Sequence, residues 1–190
     1  MLKKFFRTAA LLAAMAMLPL VTTSCSDDDT PEPEPEPEAP SVMGWMVAYQ
    51  VEVNDELLQY IDAEVVYTGN DGKEISTPLT TTLWKDSVAF TADEQPENAT
   101  IHLSPARNAT PLPESGEIDL YVKPTVRLYT IYDDKTVKLS TPIAVEFNHS
   151  VDVTKFENYL NTNPRLARRV YFLDVNEDGV LYSSGSSISD

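Results

Sequence analysis

The 190-residue chain has one cysteine, two histidines and six glycines, and its 14 basic residues face 30 acids. The lone Cys25 has no partner for an intramolecular disulfide, so the fold must rest on its core. His102 and His149 stand far apart, with no His-x-x-x-His spacing and no second cysteine. That excludes the usual zinc sets and a Cys/His nucleophile. The few glycines form neither a Gly-x-Ser-x-Gly elbow nor a phosphate-cradling loop. Outside the first residues no apolar run approaches the length of a membrane-spanning helix. The shortage of positive charge argues against nucleic-acid partners, because phosphate backbones are repelled.

What is present begins with Lys3, Lys4 and Arg7, then a brief apolar run over residues 9–21 and small residues leading into Cys25. A basic start, a short apolar stretch and a small-residue cleavage site predict a secretory signal peptide over residues 1–24. Residues 26–40 carry seven acids and no base, with proline and glutamate alternating from Pro31 to Glu38. Fixed φ angles and like-charge repulsion predict a disordered, extended polyproline II tether over residues 25–40. At about 3.1 Å per residue it reaches roughly 45 Å. Loss of the three leader cations takes the net charge from −16 to −19, and setting aside the seven tether acids leaves −12 on residues 41–190. Those residues suffice for one domain with a substantial core.

Thr22-Thr23-Ser24-Cys25 resembles the cleavage site of a bacterial lipoprotein, although Thr22 stands where the usual lipobox has leucine. The resemblance implies acylation of Cys25 as the mature N-terminus and a lipid anchor in the outer membrane. Ser26-Asp27-Asp28-Asp29 looks like the signal by which Bacteroidota carry lipoproteins to the outer face of that membrane, which implies cell-surface exposure. An ordinary cleaved leader with a solvated charge run, or a lipoprotein facing the periplasm, are the alternatives.

Within residues 41–190, Trp45, Val47, Tyr49, Val51 and Val53 alternate on one face of a first strand. Residues 55–61 could form one helical turn. A strand over 63–67 turns at Gly69-Asn70-Asp71-Gly72 into residues 73–77. Residues 83–90 alternate through Trp84, Val88 and Phe90, a short strand follows at 100–103, and residues 105–116 read as a loop. Strands are expected over 118–132, bent or bulged at Pro124, and over 135–147. Val153, Phe156 and Leu160 then change to helical spacing behind Asp152 as N-cap. A hairpin of 169–173 with 180–182 closes the domain before a Ser/Gly-rich tail. Eight or nine strands with one short helix predict an all-β fold, an immunoglobulin-like β-sandwich, with a barrel as runner-up. Asp55-Glu56-Leu57-Leu58, Glu64-Val65-Val66-Tyr67, Asn70-Asp71-Gly72-Lys73-Glu74 and Leu83-Trp84-Lys85 resemble a pattern recurring in Bacteroidota lipoproteins of this size. That resemblance implies a fold rather than an activity.

Few residues offer chemistry. Asp174, Asn176 and Asp178 followed by Gly179 match the first half of a calcium loop, but Gly185 occupies the place of its final glutamate, and a polar turn explains the same residues. Calcium is therefore the one candidate cofactor. Trp45 and Trp84 are candidate platforms for stacking on a sugar ring, or else core residues in phase with their apolar neighbours. Asp86-Ser87-Val88 resembles the tripeptide at which Bacteroidota attach O-glycans, which implies Ser87 as an acceptor. Nothing in the sequence pairs two carboxylates, so no catalytic residue is assigned. The sequence reads as a non-catalytic surface module binding a glycan or a protein partner; the alternative is an adhesin or fimbria-like subunit assembling by strand pairing.

Overall fold

The computed structural model describes residues 39–188; the leader, Cys25 and the tether up to residue 38 lie outside the described residues. The first strand, β1 (Val42–Val53), buries the five residues that alternate in the sequence. It leads through α1 (Asp55–Tyr60) into β2 (Ile61–Thr68), which turns tightly into β3 (Glu74–Pro78). Next come β4 (Leu83–Thr91), β5 (Asn98–Arg107) and the 16-residue β6 (Glu117–Tyr132). Three short pieces follow, β7 (Val137–Leu139), β8 (Ile143–Ala144) and β9 (Phe147–Asp152), then α2 (Phe156–Thr162) and the hairpin of β10 (Leu166–Val175) and β11 (Leu181–Ser187).

All strand pairs are antiparallel. One sheet runs β4-β1-β6, with β7, β8 and β9 in succession along the far side of β6, and the other runs β11-β10-β5-β2-β3. Directly opposed residues of an antiparallel pair share a face. The register that sets Val47 between Val88 and Leu128 therefore turns all three into the same core. The second sheet supplies Val65, Ile101, Leu103, Tyr171 and Leu181 from the other side, so the two sheets form a sandwich around one core. α1 and α2 cover its ends with Leu57, Phe156 and Leu160.

Five sequence expectations are corrected. Eleven strands and two helices are present among the described residues, because the stretch expected as one strand over 135–147 is broken at Pro142 and again before Phe147. β5 continues through Pro105, where a loop was expected. Pro105 is opposite Ala63, whose carbonyl accepts from Leu79 N–H and so faces away from β5; the missing N–H of Pro105 falls on a side where β10 has already ended. β6 keeps an unbroken register with β1 past Pro124, and the proline marks the gap between β8 and β9 instead. α2 begins at Phe156 with no side-chain cap. Asp152 closes the turn before it by accepting from the Thr154 N–H at 2.8 Å and from its hydroxyl, which holds the Asp152 carboxyl below its ordinary range. The Ser-rich segment after Tyr182 is strand rather than tail, because ladder hydrogen bonds to β10 need no apolar side chain.

Thr130 of β6 joins the two sheets at one edge: its buried hydroxyl oxygen accepts from the Leu181 N–H of β11 at 2.9 Å. Thr130→Val keeps the shape and strips that donor of its partner. We expect a loss of about 1–3 kcal/mol, read by denaturant unfolding, together with faster exchange of the Leu181 amide; unchanged exchange would contradict the assignment.

Candidate functional site

Both tryptophans face the core. Trp45 is 6% exposed and its Nε1–H donates to the Gly179 carbonyl at 3.1 Å. Trp84 is 9% exposed, its ring 5.1 Å from that of Tyr67. An indole covered in this way has no face left for a sugar ring, which corrects their candidacy as a ligand platform. Ser87 is exposed on β4, an edge strand, and faces away from the core side that holds Trp84 and Val88.

The candidate calcium residues sit in the β10–β11 turn. Asn176 Oδ1 accepts from the N–H groups of Asp178 and Val180, at 3.1 and 2.9 Å, and Asp174 Oδ1 accepts from Val175 N–H. Gly179 takes the positive φ of 74° that the turn requires, and an added Cβ there would meet a Val42 methyl at 2.6 Å. The oxygens expected as ligands thus shape the hairpin. Among the described residues, no three His, Cys, Asp or Glu side chains gather as a metal group.

A cleft opens elsewhere, along the side of the sandwich where the broken edge strand β7–β8–β9 faces the β10–β11 hairpin. It is about 620 Å³ in volume and lined by Leu139, Pro142, Ile143, Val180 and Tyr182 among others. Leu139 and Tyr182 are 49% and 38% exposed, large apolar groups left in water at an unpaired sheet edge. Pairing with β6 reaches Ser140, whose N–H donates to the Leu128 carbonyl at 2.9 Å, and breaks at Thr141 and Pro142 beside the cleft. The Ser140 hydroxyl donates to the Leu181 carbonyl and ties one wall to the other.

A second cavity on the same side, about 210 Å³, is lined by Arg165, Arg168 and Arg169 with Phe147, Leu166 and Ile188. It forms at a β-bulge: Leu166 is opposite Leu103 and Arg169 opposite Ile101, so Ala167 and Arg168 share the place facing His102. Ala167 has a φ of 55°, a left-handed conformation that costs a non-glycine residue about 1–2 kcal/mol. His102 is 4% exposed, with no partner for Nδ1 among the described residues. Burial first, then Arg165 and Arg168, push its pKa down against the opposing pull of Glu74, so the ring is held neutral beside the arginines. The sequence reading missed both cavities. Three arginines in five positions of an acidic chain were the available signal for one; the apolar cleft depends on strands far apart in sequence and had none.

No family model matches the chain, and neither a curated protein nor a solved structure matches it.

The core assignment of the indoles is checked by Trp45→Ala and Trp84→Ala. Each is expected to cost about 3–5 kcal/mol of unfolding free energy, measured by urea denaturation. A variant of full stability would return its tryptophan to candidacy as a surface platform.

Proposed function

We propose that this chain is a lipid-anchored, non-catalytic binding module that meets its ligand along the open side of the sandwich. The observation that carries the reading is the cleft between β7–β8 and β11. A groove that sets Leu139, Pro142, Ile143, Val180 and Tyr182 among polar groups, here Lys138, Ser140, Thr141 and Ser183, offers both kinds of contact that a recognition site uses. The exposed Leu139 and Tyr182 are the residues to anchor a glycan or a protein partner, tyrosine being well suited because it combines an apolar ring with a hydroxyl. The acidic surface keeps nucleic acid away and the domain soluble. No cofactor is needed for such a role, and the turn at Asp174 needs no calcium.

The sandwich is read as immunoglobulin-like, and the N-terminal features fit it to display: acylation at Cys25, anchorage in the outer membrane, and an acidic tether that holds the domain off the cell surface. Ser87, exposed on an edge strand, is placed where an O-glycan could be attached and would blunt that edge against strand pairing.

The second reading is a structural subunit that assembles by strand addition. It is favoured by one observation: β11 is an edge strand whose outer backbone groups, from Ser183 to Ser187, have no strand beside them among the described residues.

The test couples location to recognition. Cys25→Ser is expected to move the protein from the membrane to the soluble fraction. Tyr182→Ala is expected to lower retention on a glycan array or on a partner-bearing cell surface about tenfold or more without altering thermal stability. Full retention by Tyr182→Ala would move the site off this cleft, and concentration-dependent polymers of the unaltered protein would favour the structural subunit.

A further inference from the structure

In β9 an aromatic ring faces inward and yet stands in water. The register sets His149 opposite Leu120 and Val151 opposite Ile118, so His149 shares the inner face of its sheet with these buried residues. His149 is nonetheless exposed. It lines a cavity of about 400 Å³ between β9 and α2, and the half-buried Tyr159 of α2 forms another wall. The two rings are 5.5 Å apart with planes 32° from parallel, and Phe147 braces His149 edge-on at 6.3 Å. Rings already held by neighbours lose little freedom on meeting a ligand.

The edge of β9 sets fixed polar groups beside these rings. The Val153 N–H donates to the Gly116 carbonyl across to β6, so Val151 and His149 also turn their backbone groups toward β6, and Ser150 and Asn148 turn theirs away. Their partners agree: the Asp119 and Tyr121 carbonyls face away from β9 and accept from the Asn54 side-chain amide and the Asn54 N–H. No strand lies on the outer side of β9 among the described residues, so the Ser150 N–H and C=O stand at an open edge where Ser150 lines the cavity. Lys155 and Asn158 line it from the other side, and Lys155 is in neither of the two ion pairs among the described residues. Glu117 brings a carboxylate, which only accepts.

We propose that this cavity binds one neutral hexopyranose residue, its C–H face against His149 and Tyr159 and its hydroxyls bonded to the Ser150 backbone, Asn158 and Glu117. Three features select this ligand. A sugar hydroxyl both donates and accepts, and here an N–H, a C=O, an amide and a carboxylate surround an aromatic surface. Glu117 and Asp152, opposed across β6 and β9, accept from hydroxyls but repel an acidic sugar or a phosphate. An extended peptide finds too little strand to pair with: β9 starts at Phe147, and the Asp152 carbonyl at its end already accepts from Lys155 N–H, which leaves Asn148 and Ser150. The site is separate from the Leu139–Tyr182 cleft. The inference goes beyond the binding-module reading and rests on it only for the source of the sugar.

The experiment is an NMR titration of the full chain carrying Cys25→Ser with the methyl glycosides of glucose, galactose and mannose, with methyl glucuronoside, and with an extended valine-threonine hexapeptide. At least one neutral glycoside is expected to saturate with shifts at the Ser150 and Asn158 amides, and the glucuronoside to bind about tenfold more weakly than the best of them. His149→Ala and Asn158→Ala each remove an exposed side chain and are each expected to weaken that sugar about tenfold at unchanged melting temperature. No saturation by any neutral glycoside, shifts gathered at Tyr182 instead, equal binding of the glucuronoside, indifference to both substitutions, or shifts at Ser150 with the peptide alone would each overturn the proposal. Retention through Tyr182 in that event leaves the binding-module reading standing; loss of that retention as well takes both down.

Discussion

The two sheets are fastened by aromatic side chains that are apolar along most of their length and polar at the tip. Trp45 in β1 donates across the sandwich to Gly179 in the β10–β11 turn, Tyr49 in β1 donates to the Thr68 carbonyl of β2, and Tyr67 in β2 donates back to Asp86 in β4 at 2.5 Å. The rings of Tyr49, Tyr67 and Trp84 form a continuous row with centroids about 5 Å apart. Apolar contact alone would let one sheet slide over the other; hydrogen bonds at fixed points set their relative position. Burial in turn raises the hydroxyl pKa values of Tyr49 and Tyr67, so both donors keep their protons through the whole neutral range.

That fastening lies toward one side of the sandwich, between β4 and β2, and along β1 to the β10–β11 turn. The other side is held by Thr130 and Ser140, which both bond to Leu181, but its strands are irregular. There the edge strand on β6 is cut into β7, β8 and β9, and the second sheet bulges at Ala167. Sheet edges are the places where a sandwich can open without unpairing its core, and broken strands and bulges serve to keep such edges from pairing with other chains. In this domain the same irregularities create an apolar cleft beside Tyr182 and a basic cavity beside Phe147. A fastened core and a recessed side, on a domain that we propose is carried by a lipid anchor and a tether, together account for the proposed role.

Much of the sandwich was legible because a strand's side chains alternate with period two. Trp45 to Val53 announced both the strand and its buried face, and Val153, Phe156 and Leu160 announced the change to helix. Proline was harder to read. A proline breaks whichever hydrogen bond its missing N–H would have made, and the sequence does not say on which side of the strand that bond lies: Pro105 and Pro124 sit inside strands at no cost, whereas Pro142 coincides with a break. The tail after Tyr182 was missed because serine and glycine have little strand preference of their own and are ordered by their neighbour, β10. Trp45 and Trp84 were legible as inward-facing, but the hydrogen bond of Trp45 was not, since Gly179 is distant in sequence. The cavities on the open side escaped for the same reason, their walls coming from residues that only the register brings together.

The most direct test of the fastening is a double-mutant cycle between Tyr67→Phe and Asp86→Ala, read by equilibrium unfolding of the single and double variants. If the hydrogen bond between the sheets sets their relative position, the two changes are coupled by about 0.5–1.5 kcal/mol, and the double variant loses less than the two singles combined. Additive losses, with no coupling, would contradict the account and leave this contact without a part in setting the relative position of the sheets.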